Sequence, residues 1–228
     1  MQYSLWHGSS VIIKNPEYGR GNPHNDYGLG FYCTQFEDLA KEWSCDENRS
    51  GFANHYLLDA DSLTELDLQD PSFSILHWLA VLAANRRFQP DTAVAVQGLS
   101  YLLKHFSTDL SGYDIVKGYR ADDSYFSFAK AFVGNAISLR QLAKAMYLGK
   151  LGEQIVLRSK KAFQSLRFCE AVPAAATEFY VRRKQRDEAA RAAYRLKALQ
   201  MDLNGIFMRD IIRERMVPND PRLQSELS

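Results

Sequence analysis

Segments with strand character are scattered irregularly among helical ones in this chain, and that order limits its fold more than any other feature. Short runs with strand patterning lie at residues 3–6, 10–13, 28–33, 55–58, 63–68, 113–119, 153–157 and 166–172. Helical patterns fall unevenly between them. One places Phe36, Leu39, Ala40 and Trp43 on a single face, behind a Thr34-x-x-Glu37 capping-box form. Others cover residues 72–88 after Pro71, 91–106, 124–133 and 138–147, the last with Ser138 and Gln141 in capping positions and Gly149 and Gly152 beyond it. A regular βαβ series needs strand and helix in strict alternation. This order instead predicts an α+β fold. Residues 1–176 form its domain, with residues 72–106 as a helical insertion. From residue 177 the composition turns charged and helical. Residues 179–199 form a long helix, Asn204-Gly205 interrupts, and a second helix runs to about Met216 before a polar tail. Residues 177–228 are therefore read as a helical extension packed on the same domain.

The chain has 228 residues, enough to bury one full core and an appended helical piece. Its formal charge of +1 gives no global field to draw it to nucleic acid or membrane. The three cysteines, Cys33, Cys45 and Cys169, match no zinc spacing and read as reduced thiols of a cytoplasmic protein. His24, His55, His77 and His105 share no ligand spacing, so no metal is expected. The start, Met-Gln-Tyr-Ser-Leu-Trp-His, lacks the basic head and apolar core of a signal peptide. The most apolar stretch, residues 73–84, contains His77 and is too short to span a bilayer, so no membrane partner is expected.

Chemistry concentrates in three short motifs. His7-Gly8-Ser9 sits between the first two strand runs. Gly28-Leu29-Gly30-Phe31-Tyr32 enters a strand after a loop dense in Gly, Pro and Asn at residues 15–26. Gln154-Ile155-Val156-Leu157 is a strand that begins with an amide. Alone, each is ordinary: Gly28-x-Gly30 lacks the third glycine of a dinucleotide fingerprint, and a strand follows it rather than a helix. In this order, however, the motifs resemble the His-Tyr-Glu branch of the ADP-ribosyltransferases, which contains diphtheria toxin and the poly-ADP-ribose polymerases. The chain looks closest to an uncharacterised bacterial family related to them. That wider resemblance takes in the segment from Asp114 to Asp123 and the Tyr180-Val181-x-Arg183-Lys184 start of the long helix.

The resemblance implies an ADP-ribosyltransferase-like fold with a split, partly antiparallel sheet, and a mono-ADP-ribosyltransferase that uses NAD as a substrate and moves its ADP-ribose to a macromolecular acceptor, protein or nucleic acid. It also implies a bacterial toxin or effector role, with a neutralising antitoxin-type partner. His7, Tyr32 and Gln154 are the expected catalytic set. Gly8 would let its backbone approach the nicotinamide amide, His7 would bond a ribose hydroxyl, and Tyr32 would stack on the ring. Ser9, Gly28 and Gly30 complete the expected NAD contacts, and Gly28 and Gly30 would keep the approach to the ring open. Arg20 is a candidate for the pyrophosphate, because its fork suits phosphate oxygens. Asp26 would orient the loop. Asp122 and Asp123 are candidates for activating an acceptor, or else cap the following helix. Gln154 departs from the family's glutamate. It keeps a hydrogen bond but loses charge and base function, which argues against chain elongation. Glu153 is adjacent, but alternation turns it to the opposite face. Two other readings stand beside transfer. One is a non-catalytic module that binds NAD or ADP-ribose or serves protein interaction, suggested by Gln154. The other is a nucleic-acid-modifying enzyme of the same fold, suggested by the basic run Arg182, Arg183, Lys184, Arg186, Arg191 and Arg195, although i,i+4 pairing with Asp187 and Glu188 suggests a solvated face.

Overall fold

The computed structural model describes residues 1–121, 123–146, 153–198 and 202–225. The fold is α+β, with two sheets. The first is antiparallel, in the order β1 (Gln2–Ser9), β3 (Gly51–Asp59), β7 (Leu166–Ala174). The second has the order β2 (Phe31–Cys33), β6 (Glu153–Leu157), β5 (Ile115–Tyr119), β4 (Glu65–Asp67). The two sheets meet where Trp6 and Thr34 exchange backbone hydrogen bonds of 2.7 and 2.9 Å. The strands thus divide between two sheets, the first antiparallel and the second mixed, in which β4 and β5 run parallel. The cause lies in the connection. Helices α2 (Ile75–Asn85) and α3 (Ala93–His105) carry the chain from β4 back to the start of β5, as a parallel pair requires.

Two expectations about the first motif region are corrected. His7-Gly8-Ser9 does not separate two strands but lies inside β1, whose pairing with β3 runs from Gln2↔Asp59 to Ser9↔Phe52. Residues 10–13 are not a strand. They are held by side chains instead: Ile13 N–H donates to Asn54 Oδ1 at 2.9 Å, and the Tyr56 hydroxyl donates to the Ile13 carbonyl. The Thr34-x-x-Glu37 cap does not form either. Thr34 is committed to the bridge with Trp6, its hydroxyl accepts from Phe36 N–H at 3.2 Å, and α1 (Glu37–Ser44) begins later with Phe36 at its N-cap. The Ser138/Gln141 box does form ahead of α5 (Leu139–Met146), with reciprocal bonds of 2.9 and 3.2 Å. Gly149 and Gly152 lie outside the described residues.

The core has two main compartments. Between the sheets, Leu5, Phe31, Tyr56, Leu58, Ile115, Ile155 and Leu157 are buried together. On the other face of the second sheet, Leu66, Val116 and Val156 join the helices, including Trp78, Leu79 and Leu82 of α2 and Phe128 and Phe132 of α4 (Asp123–Val133). Burying this second cluster is the main driving force for holding the insertion on the sheet. The extension shares it. Met208 and Ile211 of α8 (Met208–Arg213) and Leu223 of the short α9 (Pro221–Ser225) are fully buried there. The region beyond Pro221, read from sequence as a polar tail, thus begins with a helical turn. The long α7 (Ala176–Ala198) lies along α1, tied by Arg186–Glu42 at 2.5 Å, and Tyr194 stacks on Phe128. Cys33, Cys45 and Cys169 are free thiols. No described helix is long and apolar enough to cross a membrane.

Candidate functional site

Four residues of the three motifs reach one cleft of about 400 Å³, a volume within the range of small-molecule sites. Its lining is His7 and Gly8 from β1, Tyr32 from β2, Gln154 from β6, Trp43 from α1, Asn25 and Asp26 from the long loop, and Arg86, Arg120 and Ala121. The meeting follows from the sheets. The Trp6–Thr34 bridge sets the end of β1 beside β2, and β2 pairs with β6 through Tyr32↔Val156 and Cys33↔Ile155.

Each side chain is set by its neighbours. His7 stacks on Phe31, with ring centroids 4.2 Å apart, and its Nδ1 lies 2.7 Å from the Tyr32 carbonyl. A carbonyl only accepts, so Nδ1 carries the proton and Nε2 is left as an acceptor in the neutral ring. Burial lowers the His7 pKa, against the opposing bond to Tyr32, and favours that neutral form. The Tyr32 hydroxyl donates to the Gly28 carbonyl at 2.5 Å and accepts from Tyr27 N–H at 3.1 Å, which fixes its ring. Burial raises its pKa, so it stays a phenol. Gln154 is only 6% exposed, and its Oε1 has no hydrogen-bond partner among the described residues. A buried acceptor left unpaired costs about 1–3 kcal/mol, a cost that water or a ligand in the cleft would offset.

The glycines have packing reasons. A Cβ on Gly8 would lie 2.1 Å from the Ala40 carbonyl oxygen and 2.9 Å from Ser44 N, so α1 can sit against β1 only over a bare Cα. Gly8 also lines the cleft. Gly28 and Gly30 do not. Gly28 has a φ of +75°, and a Cβ on Gly30 would lie 2.5 Å from Val156 Cγ1 and 2.9 Å from the Leu157 carbonyl oxygen. They serve the turn and the approach of β2 to β6 rather than the opening of the cleft. Ser9 lies outside the lining, and its hydroxyl accepts from Val11 N–H at 3.2 Å. Arg20 is likewise outside it, 78% exposed and paired with Glu17 at 2.7 Å. Asp122 lies outside the described residues. Asp123 opens α4, and its side chain is not among those described.

Sequence reasoning missed Asn25, Trp43, Arg86, Arg120 and Ala121. Asp26, expected to order the loop, does so: Oδ1 accepts from Arg86 Nη1 at 3.1 Å and Oδ2 from Ala121 N–H at 3.0 Å. Burial raises its pKa, opposed by the Ala121 bond and by Arg86 and Arg120. Arg86 Nη1 also donates to the Ala121 carbonyl at 2.6 Å, and the Arg120 guanidinium lies over the Trp43 indole. Arg120 and Ala121 belong to the segment from Asp114 to Asp123 that carried part of the resemblance. A cation at the exit of a strand was the signal available for Arg120.

The model of the family described as "Protein of unknown function (DUF3990)" matches residues 3–168, and the chain belongs to that family. Comparison with curated proteins and with solved structures gives no match.

Proposed function

We propose that this DUF3990 protein binds NAD in the cleft and transfers its ADP-ribose to a macromolecular acceptor, on an ADP-ribosyltransferase-like fold. The observation that carries the reading is the convergence of His7, Tyr32 and Gln154, from three distant segments, on one cleft. In the reaction the bond from ribose C1′ to the nicotinamide nitrogen breaks, and its electron pair leaves with nicotinamide. The acceptor's lone pair then forms the new bond at C1′, and the acceptor's proton is released. His7 Nε2 accepts from a ribose hydroxyl. Tyr32 provides a ring face for nicotinamide, and Gln154 Oε1 takes a hydroxyl near the reacting carbon. A neutral amide there suits single transfer rather than elongation. The reading carries with it a cytoplasmic toxin or effector with a neutralising partner.

The test is nicotinamide release from NAD by the full chain with cell extract, alongside label transfer from adenine-labelled NAD. Released nicotinamide and a labelled macromolecule, both lost in H7A and Q154A, support the proposal. Absence of both, together with no NAD binding, sinks it.

One observation favours a binding module instead. The carboxylate in the described lining, Asp26, is engaged on both oxygens, so it is not placed to steady a cation at C1′. Tight ADP-ribose binding without nicotinamide release under any acceptor would establish that reading. Four of the six basic residues behind the nucleic-acid reading are engaged within the protein. Arg182 pairs with Glu178 and Asp38, Arg183 reaches the Glu42 carbonyl, Arg186 pairs with Glu42, and Arg191 pairs with Asp187. These arginines hold α7 to α1 or to itself.

A further inference from the structure

Arg158 follows β6 and stands outside the cleft. Its backbone is fixed, because its N–H donates to the Asp114 carbonyl at 2.9 Å. Its stem lies beside Gly30, where an added Cβ would be 3.7 Å from Arg158 Cγ. The side chain is half-buried, and its Nη1, which is buried, has no hydrogen-bond partner among the described residues. Burial lowers the Arg158 pKa, and Tyr32, Asp109 and Tyr18 oppose it, so these three groups face the guanidinium. None of them closes on it. The Tyr32 hydroxyl is spent on Gly28, and the Asp109 oxygens accept from Ser111 N–H at 2.8 Å and from its hydroxyl at 2.9 Å. A guanidinium does not shed its proton, so the unmet donor keeps its charge and suits an anionic oxygen. A second cation lies close by. Lys160 is exposed, with Nζ 5.8 Å from the centre of the Tyr18 ring, and it forms no ion pair among the described residues. Tyr18 is itself 50% exposed and held edge-on by Phe163, with ring centroids 5.6 Å apart. The neighbouring carboxylate, Glu17, is taken by Arg20. Two cations thus lie beside one exposed ring. Their charge matches a phosphate monoester better than a carboxylate, the fork of arginine takes two of its oxygens, and the ring offers a flat face to a base.

We propose that Arg158 and Lys160 hold the phosphate of a nucleoside monophosphate whose base lies on Tyr18, at a site separate from the cleft. The assignment does not depend on the transferase reading.

Calorimetry on the full chain tests this with AMP, inorganic phosphate, adenosine and a short oligonucleotide phosphorylated at its 5′ end as separate probes. AMP binds the wild type more tightly than phosphate or adenosine. R158Q weakens AMP by about tenfold or more. R158K, which keeps charge but loses the planar fork, recovers part of the loss. Y18A brings AMP down to the affinity of free phosphate and leaves phosphate itself within about twofold. H7A and Q154A, which alter the cleft, leave AMP within about twofold of wild type. The oligonucleotide identifies the source. Binding as tight as that of AMP assigns the site to a nucleic-acid end, and weaker binding assigns it to a free nucleotide. Thermal unfolding verifies each fold. If R158Q does not fold, Y18A and K160Q, both at exposed side chains, carry the test, and each weakens AMP. No binding of AMP to the wild type, AMP no tighter than phosphate, AMP affinity unchanged in R158Q, or a loss in H7A or Q154A equal to that in R158Q overturns the proposal. Where R158Q is unfolded, AMP affinity unchanged in Y18A or K160Q does the same.

Discussion

Glu153 and Gln154 are neighbours on β6 and occupy opposite environments. Glu153 faces a polar group made by Glu65, Asp67 and Lys117 of β4 and β5 and Tyr3 of β1. There Lys117 Nζ lies 2.6 Å from Glu65 Oε2, the Tyr3 hydroxyl donates to the same oxygen at 2.8 Å, and Lys117 also bonds the Tyr3 hydroxyl. Burial raises the Glu153 pKa, Asp67 and Glu65 add to it, and Lys117 opposes them. Gln154 faces the cleft, with a buried oxygen that no described residue answers. On one face Glu65, Lys117 and Tyr3 answer one another within the fold; on the other, Gln154 Oε1 and Trp43 Nε1 have no partner among the described residues. The first pattern belongs to structure, and the second is what a binding site needs before its ligand arrives.

The comparison breaks most sharply on activity. Gln154→Ala is expected to lower nicotinamide release from NAD by about a hundredfold, the size of losing one fixed hydrogen bond at a reacting centre. Glu153→Gln should stay within about twofold of wild type. Equal losses would mean that the two faces do not divide as described.

Stability should invert that order. Lys117→Met leaves Glu65 without its cation, and unfolding in denaturant should register a loss of about 2 kcal/mol. NAD cleavage per folded molecule should hardly change. Gln154→Met removes the unanswered oxygen at similar volume. It should raise stability by about 1 kcal/mol while abolishing cleavage. A destabilised Gln154→Met variant would show that the amide is answered within the fold after all.

The smallest effect is in pH. His7 has a folded pKa below its ordinary value of 6.5, chiefly through burial, and His77 is lowered in the same direction. The native state then binds fewer protons than the unfolded chain. The stability held by these rings is complete above pH 6.5 and is lost as pH falls through the folded values. Thermal midpoints should be flat in that respect above pH 6.5 and decline below it, with a shallower decline in His7→Gln.

Parts of this design were legible in the sequence. Strand periodicity separated Glu153 from Gln154 before any coordinates, because alternation is a local property of extended backbone. The Ser138/Gln141 cap and the helices flanking residue 90 were readable for the same reason. Where local signals misled, tertiary pairing had overridden them. Thr34 has the form of a helix cap, yet its backbone is spent on Trp6. Residues 10–13 have strand composition, yet Asn54 and Tyr56 hold them as loop. Gly28 and Gly30 carried a binding signature, and the contacts they relieve belong to the protein's own packing.

What the sequence determined by itself was the α+β class and three residues from separate segments, His7, Tyr32 and Gln154, that line the cleft. Short-range spacing and chemistry suffice for both. Only the tertiary structure decided the rest of the cleft's lining. Trp43, Arg86 and Arg120 come from a helix face, a helix end and a strand exit, far apart in the chain. Their meeting depends on how α1 crosses β1 over Gly8 and how α2 packs on the second sheet. Side-chain packing over long sequence separations sets those positions, and no local pattern encodes it.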